Sequence, residues 1–353
     1  MFMQVQRSAS LTQSTPAPKP TFFPHRERDE EWERERLTGK SASCLLAEWG
    51  IFVIFATENQ VLAMEAPNFN ADGNVDAGAE NREVSVVIPM YTTQLNDFEV
   101  LSVRRTFDVL RDHDIVIVKP QSLDLQPLDR LLSGANCRVE SFEDAYFQGR
   151  TGYNRLMMSP TFYERFLSSR YILICQTDVF IFSDRLLDWC KKDYDYIGAP
   201  WLPSCGAYTR KNWLAVADWR LRTFISGISP FYFSMKLKFM VGNGGLSLRR
   251  TQKCHALAVK YGQAAIERME KHPNESQYYE DVFWSYHVNR FEPGALKIPP
   301  YTEAVGFSID THPATAFQIS GGQLPFGAHA FYRRKHFGFW KKYIDCEAVM
   351  KKE

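Results

Sequence analysis

The sequence predicts an α/β fold in which a mixed, mostly parallel sheet is flanked by helices. Three short runs have the length and the β-branched, apolar content of buried strands: Val84–Ile88, Ile115–Val118 and Tyr171–Cys175. The stretch between the first two runs has its apolar residues at helical spacing. Strand, amphipathic helix and strand in succession form the unit from which parallel sheets are built.

The elements follow one another in a regular order. The first strand ends at Pro89, and Asn96–Asp97 supplies side chains that cap helices. The helix that follows places four apolar residues on one face: Val100, Val103, Phe107 and Leu110. The second strand ends at Lys119–Pro120, and a helix over Pro160–Leu167 precedes the third strand. A further short strand is expected over Asp195–Gly198.

Residues 1–82 are predicted to form a mostly disordered leader, and residues 83–345 a single folded domain. Ser, Thr, Gln and Pro dominate the leader up to Pro24, and the charged run Arg26–Arg36 has little apolar surface to bury. Within the domain, residues 202–240 form a long aromatic and basic insertion without a recognisable motif. That insertion is either a lid over a binding site or a packed excursion of the chain.

The overall charge argues against a nucleic-acid-binding surface. The chain carries 42 Lys and Arg against 41 Asp and Glu, a formal net charge of +1. A hydrophobic content of 45% and an aromatic content of 14% are those of a packed globular protein. We therefore expect any nucleotide to be bound in a local pocket.

Cysteine usage and hydropathy favour a cytoplasmic location. Seven scattered cysteines without a C-x-x-C pair suit neither a zinc site nor a disulfide framework, and they fit a reducing compartment. The most apolar early window, Cys44–Thr57, is interrupted by Glu48 and is shorter than the ~20 residues of a membrane-spanning helix. No transmembrane span is expected.

A single carboxylate, Asp178, follows the strand Tyr171–Cys175. Ligands of open α/β sheets bind beyond the carboxyl ends of the strands, so this position suits a metal or phosphate ligand. Asp178 could equally cap the turn or helix that follows.

Two later segments also allow both a functional and a structural interpretation. Gly242–Gly245 permits close approach to a ligand, although it lacks the pattern of a phosphate loop, and a tight turn explains it too. The adjacent carboxylates Glu280 and Asp281 would repel each other, which raises one pKa towards the range of a general base. They also suit the first turn of a helix over Val282–Tyr286, where negative charge is favourable.

The remaining polar segments are Gly152–Arg155 and Pro325–Phe331. The first is predicted as a loop before an apolar helix, in which Asn154 and Arg155 either bind a diphosphate or lie at a solvated helix start. The second places His329 between small and aromatic residues, as a metal ligand or as a core histidine.

Taken together and in order, these segments resemble an uncharacterised, mostly microbial family assigned to the GT-A-like glycosyltransferases. The resemblance is carried by Ile88–Tyr91, Gly152–Arg155, Gln176–Phe180, Tyr196–Trp201, Val241–Arg249, Tyr279–Trp284 and Pro325–His329. It covers about residues 84–343 and implies a GT-A-like catalytic domain. More distantly, the same order resembles the GT-A β-1,3-glycosyltransferases, with their acidic triplet, glycine-rich acceptor loop and Glu-Asp-Val segment.

On the donor side, the resemblance implies a nucleotide-sugar site with a divalent cation, Mn²⁺ or Mg²⁺. Asp178 matches the last Asp of the D-x-D motif, and His329 matches a late His on the same metal. Gln176 and Thr177 replace the first two positions of that motif, so Gln176 is left to hydrogen-bond the ribose.

The other donor contacts implied are Pro89 and Tyr91 against the nucleotide base and Asn154 and Arg155 near the diphosphate. On the acceptor side, Asp281 matches the catalytic base of inverting relatives. The implied acceptor contacts are Trp201, Gly244, Gly245, Glu280 and Trp284. A glycan or another hydroxyl compound would be the acceptor, and a lipid-linked glycan would bring the protein to the membrane surface.

Two other interpretations stay open. A sugar-nucleotide nucleotidyltransferase would carry a basic, glycine-rich loop after its first strand, where this chain has Pro89–Thr93. A non-catalytic carbohydrate- or partner-binding module on the same fold is favoured by the incomplete acidic triplet. The joint presence of Asp178, Asp281 and His329 argues for the enzyme.

Overall fold

The computed structural model describes residues 82–203 and 237–346. The predicted leader lies outside the described residues, apart from Arg82, which is already the first residue of a strand. Of the predicted insertion over residues 202–240, residues 204–236 also lie outside them.

A mixed sheet forms the centre of the fold. Its strands are β1 (Arg82–Pro89), β2 (Asp114–Pro120), β3 (Cys137–Phe142), β4 (Ser169–Cys175), β6 (Tyr196–Ile197) and β7 (Leu246–Arg250). Their order across the sheet is β3-β2-β1-β4-β7-β6. The first four are parallel to their neighbours, whereas β7 is antiparallel to β4, and β6 to β7. The predicted mixed, mostly parallel sheet is confirmed.

A second, smaller sheet consists of β5 (Val179–Ile181), β8 (Ser308–Ile309) and β9 (Gly327–His329). Strand β9 is central, antiparallel to β5 and parallel to β8. Because only three residues separate β4 from β5, the small sheet starts where the central strand β4 ends.

Helices pack against both sheets. They are α1 (Asp97–Val109), α2 (Asp129–Leu132), α3 (Gly149–Met158), α4 (Pro160–Glu164), α5 (Leu186–Lys191), α6 (Thr251–Leu257), α7 (Gln263–Lys271), α8 (Glu280–Val282), α9 (Val288–Phe291), α10 (Tyr301–Ala304), α11 (Pro313–Ile319) and α12 (Arg334–Trp340). Short 3₁₀ turns lie at Gln126–Leu128, Asp144–Phe147 and Ser276–Tyr278. The π-helical turns Ala258–Gly262 and Phe283–His287 join α6 to α7 and α8 to α9.

The helix predicted after the first strand is confirmed as α1. The Asn96 side chain accepts hydrogen bonds from the N–H groups of Phe98 and Glu99, at 2.9 and 3.0 Å. The Glu99 carboxylate in turn accepts from the Asn96 N–H at 2.8 Å. This reciprocal capping box satisfies amides that the first turn would otherwise leave open. Val103 and Phe107 lie on the apolar face of the helix and are buried.

The predicted loop over Gly152–Arg155 is wrong, because these residues lie inside α3. A Cβ at Gly152 would lie only 2.5 Å from the carbonyl oxygen of Ala145. The glycine therefore serves close packing of the helix against the preceding turn, which sequence alone does not distinguish from a loop.

The core lies on both faces of the central sheet, because neighbouring residues of a strand point to opposite faces. Val86 and Ile88 of β1 belong to one buried cluster, and Val87 belongs to the other. A third cluster, around Phe180 and Phe331, packs at the small sheet. In the part of the chain that the structure describes, no helix is long and apolar enough to cross a membrane.

Candidate functional site

The small sheet brings three titratable side chains to one edge. Strands β5 and β9 pair with Val179 opposite His329, so Asp178, just before β5, lies next to His329. Strands β8 and β9 pair with Ile309 beside Ala328, so Asp310, just after β8, approaches His329 from the other side. The register of three short strands thus places the imidazole between two carboxylates.

The side-chain distances confirm this arrangement. His329 Nε2 lies 3.2 Å from Asp178 Oδ1, and His329 Nδ1 lies 2.9 Å from Asp310 Oδ1. Gln176 Oε1 is also 3.2 Å from His329 Nε2. Asp178, Asp310 and His329 are all buried. The structure therefore brings together the three residues predicted for the cation and ribose, and adds Asp310.

The two carboxylates determine the charge of His329. Burial alone would lower the pKa of the imidazole, but the negative charge of Asp178 and the hydrogen bonds to Asp178 and Asp310 outweigh burial and raise that pKa to about 9. Without a cation, His329 is therefore protonated at neutral pH and compensates the charge of the buried carboxylates.

The donor atoms around His329 Nε2 fit a divalent cation. Two ligands at ~2.1 Å in octahedral geometry lie ~3.0 Å apart, close to the 3.2 Å from Nε2 to Asp178 Oδ1 and to Gln176 Oε1. Among the described residues, no group of three or more His, Cys, Asp or Glu side chains is arranged to hold a metal ion. A cation at this place would be bound by Asp178, His329 and Gln176, and phosphate oxygens and water would complete its coordination shell.

The glycine loop Gly242–Gly245 lies between the donor and acceptor residues. A Cβ on Gly244 would be 1.8 Å from Glu280 Oε1, and a Cβ on Gly245 would be 2.3 Å from His329 Nε2. Only glycine allows both approaches at successive positions. Because adjacent Cα atoms are ~3.8 Å apart, the loop brings Glu280 Oε1 and His329 Nε2 to within about 10 Å of each other.

Glu280 belongs to a buried ion pair. Its Oε2 accepts a hydrogen bond from Arg249 Nη2 at 2.8 Å, while Arg249 also donates to Tyr163 and Ser247. Burial raises the pKa of Glu280 above its ordinary value; Arg249 opposes that rise, and the neighbouring Asp281 adds to it. Since both members of the pair are buried, the loss of either would leave a charge uncompensated.

Asp281 is the second residue of α8. Its Oδ1 accepts the N–H of Val282 at 2.9 Å, and the residue is partly exposed. Asn154, predicted to bind the donor, instead accepts the N–H of Glu280 at 2.7 Å and donates to the Arg150 carbonyl at 2.8 Å. In this structure Asn154 therefore fixes the start of the segment that carries Asp281.

Tyr91 lies near the carboxylates of Asp178 and Glu280. Its ring packs edge-on against Phe147 and Tyr153, at centroid distances of 5.7 and 5.9 Å. Burial raises the pKa of Tyr91 well above its ordinary value, and the charges of Tyr153, Asp178 and Glu280 add to this rise. Tyr91 follows the end of β1 at Pro89 by two residues.

Two predicted site residues have other roles in the structure. Arg155 does not face the cluster around His329; it pairs with Glu270 at 2.8 Å on the protein surface. Trp284 is fully buried and donates its indole N–H to the Met157 carbonyl at 3.0 Å, so it presents no face to a sugar. The ring of Trp201 lies over Gly242, where a Cβ would be 2.0 Å from it.

Sequence reasoning missed Asp310 and the role of Arg249. Asp310 follows the short run Phe307–Ile309, which repeats in miniature the pattern of a strand delivering one carboxylate. Arg249 was part of a strand-like segment, and its complete burial follows only from the fold.

Comparison with known families identifies one match. The family described as "Protein of unknown function (DUF5672)" matches residues 136–329, which include the strand before Asp178 and extend to His329. No curated protein matches the chain.

Several solved structures are similar at low identity. The glycosyltransferase GlyE of Streptococcus pneumoniae TIGR4 is 12% identical with a TM-score of 0.43, over 77% of this chain and 63% of that one, so the chain spans less than two thirds of its length. Mouse xyloside xylosyltransferase 1 is 10% identical with a TM-score of 0.42, over 72% and 98%. Core-mannan synthase A of Aspergillus fumigatus, in a Mn/GDP form, is 9% identical with a TM-score of 0.36, over 57% and 70%. Likeness at this level says nothing about substrate or mechanism.

Proposed function

The chain belongs to the DUF5672 family, and we propose from the geometry of its site that it is a glycosyltransferase. The proposed reaction moves a sugar from a nucleotide-diphosphate donor to a hydroxyl acceptor, with inversion and with a divalent cation. One observation carries the proposal: Asp178, Gln176 and His329 converge beyond the carboxyl end of β4 and face the loop that contacts Glu280. Residues 83–345 would form the catalytic domain.

On the donor side, Asp178, Gln176 and His329 would hold Mn²⁺ or Mg²⁺. When bound, the cation neutralises charge on the leaving diphosphate. His329 would bind the cation through Nε2, the ring nitrogen that faces Asp178, while Nδ1 stays bonded to Asp310. Tyr91 and Pro89 would line the base pocket, and the buried surroundings would keep water from the donor.

On the acceptor side, Asp281 would take the proton of the attacking hydroxyl as general base. Direct attack on the anomeric carbon inverts its configuration, because the hydroxyl enters opposite the leaving diphosphate. Glu280, held by Arg249, would keep the glycine loop and the start of α8 in a fixed position.

A groove next to this segment suits a glycan acceptor. It encloses about 460 Å³ and is lined by residues that include Phe239, Tyr286 and Tyr301. Ser285 also lines it, and its hydroxyl donates to the main-chain carbonyl of Asp281 at 2.5 Å, so the groove lies about one helical turn from the proposed base. Aromatic faces combined with polar groups are suited to sugar rings. We assign the acceptor to this groove, in place of the predicted contact with Trp284.

The proposal is tested by nucleotide release from UDP-, GDP- and dTDP-sugars with Mn²⁺ and a mixed panel of glycans. Wild type should release one class of nucleotide and form a glycosylated product. Asp281→Asn should abolish product formation and still bind nucleotide, whereas the exposed control Glu275→Gln should behave as wild type. Full activity in Asp281→Asn would refute the base assignment.

A non-catalytic binding module is favoured by one specific observation. Asp178 and His329 contact each other directly, so their charges are compensated without a cation. A protein that binds glycans but releases no nucleotide from any donor would be this module.

A further inference from the structure

We infer that Asp310 is a positioning residue that holds His329 with Nε2 towards the cation. The inference rests on the proposed function for the existence of the cation, but it assigns a role to a residue outside the predicted site. Asp310 would touch neither the cation nor the substrate.

The contact between Asp310 and His329 is close and buried. Asp310 Oδ1 lies 2.9 Å from His329 Nδ1, and the two residues are each 5% exposed. The parallel pairing of β8 with β9 fixes the backbone directly before Asp310 and directly before His329. Asp310 is the first residue after β8 and His329 is the last residue of β9, so the sheet sets the spacing of the two backbones.

The hydrogen bond determines which nitrogen can bind a metal. A carboxylate at Nδ1 requires a proton there, which leaves the lone pair of the neutral imidazole on Nε2. Nε2 is the nitrogen that faces Asp178 and Gln176. Carboxylate partners of this kind fix the ring and make the ligand nitrogen more basic. Asp310 cannot reach the same cation, because it bonds the other ring nitrogen.

The backbone after His329 fits the same purpose. Ala330 has φ of 51°, a left-handed conformation that is unfavourable for a residue with a Cβ. Its N–H donates to the Asp178 carbonyl at 2.9 Å. The strand thus turns sharply just after the histidine, which fixes His329 against Asp178 as well as against Asp310.

The test is a Mn²⁺ titration of the full-length protein by electron paramagnetic resonance, with and without UDP or GDP. Asp310→Ala should weaken Mn²⁺ binding by roughly 10- to 100-fold. Asp310→Asn keeps an oxygen that accepts the Nδ1 proton, so it should bind between wild type and Asp310→Ala. Asp195→Asn is the matched control, because Asp195 is a buried carboxylate that bonds Arg250 and Lys253 at the opposite end of β7.

The outcomes separate the inference from the proposed function. Mn²⁺ affinity that is lost in Asp178→Ala but unchanged in both Asp310 variants would overturn the inference and leave the cation site intact. A lower melting temperature in the Asp310 variants without a change in affinity would mean a purely structural role, and would also overturn it. Wild type that binds no Mn²⁺ with any nucleotide would remove the cation site and the inference together.

Discussion

Gly245→Ala tests whether the glycine loop sets the position of His329. A Cβ at residue 245 would lie 2.3, 2.4 and 2.6 Å from three atoms of the imidazole ring, whereas ordinary contact begins at 3.4 Å. The ring or the loop must therefore move by about 1 Å. The ring is held by Asp178 and Asp310 on opposite sides, so movement breaks at least one of these contacts.

The size of the effect follows from this displacement. A misplacement of ~1 Å in a reacting geometry lowers rates by about 100-fold, and overpacking a tight site costs ~1–3 kcal/mol. We expect Mn²⁺ affinity and nucleotide release to fall by up to about 100-fold. The melting temperature should fall by roughly 2–12 °C, given ~2–4 °C per kcal/mol for a domain of this size.

The assay compares Gly245→Ala with Gly338→Ala. Gly338 lies in α12, and a Cβ there meets no atom within 4 Å. Because alanine is the better helix former, this control should retain full activity and wild-type or greater stability. Wild-type Mn²⁺ affinity and turnover in Gly245→Ala would refute the claim that the loop positions His329.

Three further predictions concern charge. Folding raises the pKa of His329 from about 6.5 to about 9, so protonated His329 stabilises the folded state fully below pH 6.5, and this contribution of at most ~3 kcal/mol is lost as pH rises through 9. In urea unfolding with EDTA, the difference in free energy of unfolding between wild type and His329→Gln should therefore shrink from pH 6.5 to 9. A constant difference would contradict this prediction. Arg249→Met should lower the free energy of unfolding by ~3–5 kcal/mol, because Glu280 loses its buried partner, and Arg249→Met/Glu280→Gln should recover part of this loss in the same assay. Gln176→Glu adds a charge beside His329 Nε2 and should tighten Mn²⁺ binding, so weaker binding in a titration would show that this oxygen does not face the cation.

Much of the fold could be predicted from sequence because its strands are unambiguous. The strands β1, β2 and β4 each contain a mostly apolar run, as strands buried on both faces require. The helix α1 combines a clear cap with one apolar face. These local signals agree with the tertiary structure, so no packing information was needed.

The site was only partly predictable, because its geometry depends on very short strands. β8 and β9 have two and three residues, too few for a hydrophobic pattern, yet their register places Asp310 against His329. Trp284 shows a second limit: the resemblance implied an acceptor contact for this residue, whereas packing buries its side chain completely. Gln176 and His329 were predicted beside Asp178 through the resemblance. The resemblance rests on the order of segments along the chain, and the sheet brings these segments together.

The central claim is that the chain binds a nucleotide diphosphate through a cation held by Asp178 and His329. It is tested most directly by the melting temperature of the full-length protein with UDP, GDP or dTDP, each in Mn²⁺ and in EDTA. A ligand that binds only the native state must raise the melting temperature. We expect one nucleotide to do so with Mn²⁺, and the shift to vanish in EDTA and in Asp178→Ala. A shift that persists in EDTA, or no shift with any nucleotide, would contradict the account.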